Sequence, residues 1–266
     1  MEPSLTYLAC LLIVFLGGVS GHQAATMRTQ DVDGATRLAP SISTSKNTKY
    51  VSCWKGQAAI SSRLVKSPIL VSPDGSRRVY VEVEAAAFRP KDVSTYAGPH
   101  CQNTSRIFLG GSQDAEFKLA YTQSASFSDG NSLKLVDWSP DGMNVLMERT
   151  SWPYESEGYF TDVLEFNVAS GEVRAPDLSK ILEARFGKDC GFENSVVGFT
   201  AGGDVIIAVR PLAESIYTDG ATSCVKQRIL VTLSANNQLQ SISKDLPPSF
   251  PVVRYGKFPE RQPTRK

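Results

Sequence analysis

One tetrapeptide occurs twice in this chain, each time between short apolar runs. Ser72-Pro73-Asp74-Gly75 lies between Ile69-Leu70-Val71 and Val79-Tyr80-Val81. Ser139-Pro140-Asp141-Gly142 lies between Leu135-Val136-Asp137-Trp138 and Val145-Leu146-Met147. Proline presets φ at the first corner of a tight turn, Asp tolerates the second, and Gly takes the left-handed position that follows. A short turn between strand-like runs, with Gly at its exit, predicts a bulged hairpin. A third version, residues 196–207, keeps both apolar runs and Gly203 but has no proline. The hairpin glycines Gly75, Gly142 and Gly203 are 67 and 61 residues apart.

Further strands are predicted around each hairpin. A leading strand at 57–62 precedes the first unit, which comprises 69–72, 77–87, 105–110 and 116–123. The second unit comprises 133–138, 143–150, 159–168 and a short strand at 171–175, and the third 195–200, 204–210, 226–234 and 237–243. Gly171 and Asn236-Asn237 supply turns between the last two strands of their units. One helix is expected at 178–186, capped by Asp177, with Leu178, Ile181, Leu182 and Phe186 on one side and Gly187 as its stop. Four-stranded antiparallel units recurring at a roughly fixed period predict an all-β, β-propeller-like domain over residues 50–243. Closed propellers have about four to eight blades. With three units visible, the expectation is an incomplete or open ring, unless residues 45–66 form a degenerate fourth blade or another chain completes it.

Leu-Val-Asp-Trp-Ser-Pro-Asp-Gly (135–142), followed by an apolar strand, resembles the WD-like repeat of TolB-type β-propellers, which are periplasmic proteins of Gram-negative bacteria. Similar blades occur in the propeller domains of prolyl-oligopeptidase-like peptidases. The resemblance covers residues 69–87 and 133–150 well and 195–210 weakly. It implies a blade architecture and no particular activity.

The two ends of the chain read differently from its middle. Residues 5–19 form an apolar run ending in small residues, too short to span a bilayer comfortably. It fits a secretory signal peptide over 1–21 cut before His22, with a retained membrane anchor as the alternative. Its n-region carries Glu2 and no basic residue, and Cys10 lies inside the apolar run, which argues against a lipoprotein. Residues 22–49 are rich in Ser, Thr, Ala and Gln and read as a mobile leader. Asp31-Val32-Asp33-Gly34 opens like a calcium loop but lacks the later ligands, so it reads as a solvated turn. Residues 244–266 form a Pro-rich basic tail, expected to be extended and partly disordered. The predicted location is periplasmic or secreted.

Without the signal, four cysteines remain: Cys53, Cys101, Cys190 and Cys224. An even number in an exported chain favours two disulfides, with three connectivities open by count alone. In a meandering blade the first and third strands run parallel, so the loops leading into them share one end. Cys190 precedes the first strand of its unit and Cys224 the third. Cys101 holds the matching place in the first unit and leaves Cys53 as its partner. The expected pairs are Cys53–Cys101 and Cys190–Cys224.

The same geometry gathers the long loops 88–104, 151–158 and 211–225, with the connection 175–194, on one face. Tyr96 and His100 lie in the first, and Trp152, Pro153, Tyr154, Glu155, Glu157 and Tyr159 in or beside the second. Glu214, Tyr217 and Asp219 lie in the third. Aromatics beside carboxylates suit contact with a protein or a sugar. The alternative is that Trp152 and Tyr154 cover the blade end.

Catalytic motifs are absent. His22 and His100 are the only histidines, and no GxSxG, HExxH, Walker or dinucleotide pattern occurs. An amino-terminal His22 with His100 would mimic a copper brace, but nothing else in the chain supports one. No CxxC pair points to zinc, and no cofactor is expected. Net charge is +1 with scattered basic residues, which argues against nucleic acid. Asn103-Thr104-Ser105 is a glycosylation sequon. The function expected is an exported, non-catalytic binding protein that recognises an envelope or extracellular protein, or a glycan, through its long-loop face. The alternatives are a glycan-acting hydrolase using Glu155, Glu157 and Asp219, and a subunit that completes a ring by self-association or with another chain.

Overall fold

Each repeated turn closes through its own side chains. In the computed structural model, Ser72 Oγ donates to Asp74 Oδ1 at 2.6 Å and accepts from Arg77 N–H at 2.9 Å. Gly75 N–H donates to Ser72 O at 2.9 Å, with Gly75 at φ +75°. Ser139, Asp141, Asn144 and Gly142 repeat this network, with Gly142 at φ +68°. The third turn has no proline, and Thr200 stands in for the serine: its Oγ1 accepts from Asp204 N–H and its carbonyl from Gly203 N–H, with Gly203 at φ +89°. The structure describes residues 41–44, 51, 53–55, 58–59, 62–88, 100–114, 116–124, 129–153, 159–187, 190–212, 222–243 and 253–259, all within one unit, Arg37–Lys266. The expected signal segment lies outside these residues.

The turns organise three antiparallel meanders. Sheet one contains β1 (Ser41–Thr44), β4 (Ser62–Lys66), β5 (Leu70–Val71), β6 (Arg77–Phe88), β7 (His100–Gly111) and β8 (Lys118–Ser124), with a small hairpin, β2 (Trp54–Lys55) and β3 (Ala58–Ala59), beside it in sequence. Sheet two runs β9 (Asp129–Trp138), β10 (Asn144–Pro153), β11 (Phe160–Asn167) and β12 (Val173–Arg174). After α1 (Leu178–Phe186), sheet three contains β13 (Cys190–Phe199), β14 (Val205–Pro211), β15 (Thr222–Ser223), β16 (Ile229–Leu233) and β17 (Leu239–Ser243), with β15 parallel to β13. Asp177 caps α1 by accepting from Lys180 N–H at 3.0 Å, as its sequence predicts. Among the described residues the fold is all-β with four-stranded antiparallel units, one short helix and no closed barrel, consistent with an open propeller-like arrangement.

Alternation along the strands builds two cores between neighbouring sheets, with smaller clusters around Cys53–Cys101 and on the outer face of sheet three. Leu70, Val79, Val81 and Ile107 of sheet one pack on Leu133, Leu135, Trp138, Met147, Leu164 and Phe166 of sheet two. The opposite face of sheet two offers Val136, Leu146 and Val163, which pack with α1 and with Val205, Ile207, Val209 and Val231 of sheet three. Sheet two is therefore buried on both faces, and its middle carries adjacent apolar residues, Leu135-Val136 and Val145-Leu146-Met147, where a half-buried strand would alternate. Both expected disulfides form, Cys53–Cys101 and Cys190–Cys224, with Cα–Cα distances of 5.8 and 4.8 Å.

Three expectations need correction. The leading strand is not 57–62: β4 starts at Ser62, and it pairs with β6 as β5 does. Together β4 and β5 are one first strand broken at Pro68, which has no N–H for the ladder; Ser67 Oγ bridges the gap by accepting from Val81 N–H. Residues 45–66 form no fourth blade among the described residues, and the leader contributes β1, paired parallel to β4 from Ser41↔Arg63 to Thr44↔Lys66. The described part of the tail is extended, as expected, but docked. Val71 and Lys257 exchange backbone hydrogen bonds of 2.9 and 3.0 Å, and Gly256 N–H donates to the buried Asp137 at 2.7 Å.

Candidate functional site

The first strands of all three sheets are irregular at one level. Sheet one breaks at Ser67–Pro68. In sheet two, Leu146 pairs with Asp137 and Met147 with Leu135, so Val136 bulges out. In sheet three, Val196 pairs with Ile207 and Gly198 with Ile206, so Val197 bulges. Bulges bend a strand and re-aim its side chains. Here they open an axial cleft of about 350 Å³, lined by Ser67, Pro68, Leu135, Val136, Val196 and the tail residues Arg254, Gly256 and Phe258.

The tail fills one side of this cleft. Asp137 is fully buried and accepts from Gly256 N–H at 2.7 Å, Tyr255 N–H at 3.1 Å and its neighbour Trp138 N–H at 2.9 Å. Arg254 donates to Val136 O and lies 4.0 Å from the Asp137 carboxylate. Burial holds the Asp137 carboxyl above the usual carboxylate range, against the pull of these donors. A β-carbon on Gly256 would lie 2.7 Å from Trp138 Cδ1 and 2.9 Å from Leu70 Cδ1, so the backbone seats directly on the core. The C-terminal segment, seated on the core, thus forms one wall of the axial cleft, whose volume stays open beside it.

A second cleft, of about 320 Å³, opens at the other end, where the long loops leave the sheets. Gln123 and Ser124 close β8, Asp129, Gly130 and Asn131 open β9, Ser151, Trp152 and Pro153 end β10, and Phe160 starts β11. Asn131, Ser151 and Phe160 form one cross-strand row, and directly opposite residues share a face. That face is the one whose deeper rows, Leu133 and Leu164, belong to the core against sheet one. The row continues the core face beyond the cover of sheet one, leaving the Phe160 ring 68% exposed. Asn131 is buried, and its Oδ1 accepts from Ser105 Oγ at 2.5 Å. Its Nδ2 has no hydrogen-bond partner.

The predicted site residues divide sharply. Trp152 lines this cleft, but it is buried, and its ring covers Gly130, its cross-strand partner, where a β-carbon would meet the indole at 2.1 Å. Tyr159 is exposed beside Phe160. His100 opens β7 by its backbone. Tyr96, Tyr154, Glu155, Glu157, Glu214, Tyr217 and Asp219 lie outside the described residues. The sequon does not present a surface asparagine: Asn103 is fully buried and its Nδ2 donates to Val51 O at 2.7 Å. Asn131, Ser151 and Phe160 belong to no motif in the sequence, and only the register of β9, β10 and β11 brings them into one row. The one signal is the polar pair Asn131-Ser132 ahead of the apolar Leu133, Leu135, Val136 and Trp138 of β9.

Among the described residues, no three His, Cys, Asp or Glu side chains gather as a metal site would require. No helix among them is long and apolar enough to cross a membrane. The sequence matches no family model and no curated protein.

Proposed function

We propose that this is an exported, non-catalytic binding protein of the cell envelope that recognises its ligand at the long-loop end. The observation that carries the reading is the cleft beside Phe160, where an exposed ring and a buried amide without a partner stand together. Solvent-exposed rings beside unsatisfied donors are what a ligand covers. Two disulfides are compatible with an extracellular or periplasmic location. The finer reading, a signal peptide cut before His22 and a TolB-like, periplasmic setting, rests on the apolar run 5–19 and on the resemblance of residues 135–142.

The test is to express the full chain with a C-terminal tag, fractionate the cells, crosslink, and compare with Phe160→Ala. The expected result is a processed protein outside the cytoplasm that holds envelope material, with retention reduced in the variant. A full-length cytoplasmic protein, or equal retention by both, would overturn the reading.

A further inference from the structure

The shape and chemistry of the loop-end cleft narrow the ligand class. Its volume, about 320 Å³, is at the small end of sites for compact ligands. A concave site of this size takes a compact ligand or a single side chain of a larger one, so the chemistry of its lining decides between them. The lining alternates two kinds of group. Gln123, Ser124, Asp129, Asn131 and Ser151 offer amide, hydroxyl and carboxylate groups, while Phe160 and Pro153 offer apolar rings. A ligand that matches both must carry closely spaced hydroxyls on its rim and C–H groups on its face.

The unpartnered amide sets the polarity of one contact. Asn131 is 3% exposed, its Oδ1 is engaged by Ser105, and its Nδ2 is left with two N–H groups and no acceptor. Buried polar groups in folded proteins nearly always have partners, and each exception calls for an explanation. A ligand oxygen accepting from Asn131 Nδ2 supplies one once the amide, screened from solvent in the free protein, turns toward the cleft. Phe160 lies in the same cross-strand row, two strands away, so its ring and the amide can touch one ligand from the same face.

Resting on the binding function proposed above, we infer that this cleft is a carbohydrate site. It takes one or two rings of a neutral sugar chain, packed by its C–H face on Phe160, with a ring hydroxyl or acetamido carbonyl accepting from Asn131 Nδ2.

The experiment titrates the disulfide-intact protein with cellotetraose, maltotetraose and chitotetraose, by calorimetry and by tryptophan fluorescence. A mixture of short apolar peptides is the comparator. The expected result is saturable binding of at least one saccharide. Phe160→Ala should weaken it by roughly tenfold, the scale of one aromatic contact. Asn131→Asp, which keeps an oxygen for Ser105 but removes the donor, should weaken it likewise. Leu119→Ala, an exposed change outside the cleft, should leave it unchanged. Far-ultraviolet circular dichroism and melting temperature show which variants are folded; Phe160→Ala alone decides the matter if Asn131→Asp is not.

Saccharide binding indifferent to Phe160→Ala would place the site elsewhere and overturn the proposal. Peptide binding without saccharide binding would overturn it too. If no saccharide binds but envelope retention still depends on Phe160, the carbohydrate assignment falls and the binding function stands. If neither binding nor retention is seen, both fall.

Discussion

At the scale of single residues, the repeated turns are small hydrogen-bond machines whose charge state matters. Asp74 accepts from the Ser72 and Ser76 hydroxyls at 2.6 Å each and from Ser76 N–H, and these donors hold its carboxyl down to about 2. Ser139 Oγ lowers the Asp141 carboxyl in the same way. A carboxyl depressed in the folded state contributes stability that is present above its unfolded value of about 3.9 and is lost as pH falls through its folded value. Asp137 and Glu165 behave oppositely, because burial raises both. Their protonation on acidification favours the folded state. We therefore expect Asp74→Asn to lose less stability than the parent between about pH 4 and pH 2, measured by urea unfolding across that range. Parallel curves would show that the turn carboxylate carries no linkage. The Ser-Pro-Asp-Gly turns were legible because their φ requirements select residue types. The capping by Thr200 was not, since a hydroxyl in a segment without proline signals nothing until the backbone curls around it.

At the scale of elements, the disulfides tie the long-loop end of sheets one and three. They are close-set because strands one and three of a meander run parallel, so residues 34 and 48 positions apart in sequence meet at one edge. In the chain-entropy account each closed loop contributes about 4 kcal/mol. Replacing Cys190 and Cys224 by alanine should lower unfolding free energy by roughly that amount, read by equilibrium denaturation. A change under about 1 kcal/mol would mean the unfolded chain is already constrained there. Pairing followed from connectivity. The bulges at Val136 and Val197 did not, because Leu135-Val136-Asp137-Trp138 reads as an unbroken strand, and only the register to Leu146 and Met147 shows the extra residue.

At the scale of the whole molecule, the C-terminal segment joins sheets one and two at the axis. Lys257 extends the ladder at Val71, Gly256 rests on Trp138 and Leu70, and Asp137 holds two backbone N–H groups of the segment. Removing residues 253–266 would strip most donors from a buried carboxylate, a change that costs about 3–5 kcal/mol when the charge stays buried. Gly256→Ala should cost about 1–3 kcal/mol by overpacking, because Trp138 is fully buried and has nowhere to move. Both are checked by urea midpoints. An unchanged midpoint in the truncated chain would show the segment to be an ornament on a self-sufficient ring.

What the sequence determined by itself is everything with a short period or a local conformational demand. That covers the three hairpins, the four-strand units, the Asp177-capped helix and, through meander geometry, the cysteine pairs. Turn chemistry and alternation act over a few residues, so they are written in the order of the chain. The tertiary structure alone decided where the Pro-rich tail goes, that Asn103 is buried, and which residues form the loop-end cleft. Asp137 and Gly256 are 119 positions apart, and Asn131 and Phe160 meet only because β9, β10 and β11 align in register. Contacts between distant positions depend on how strands stack, and no local preference encodes that.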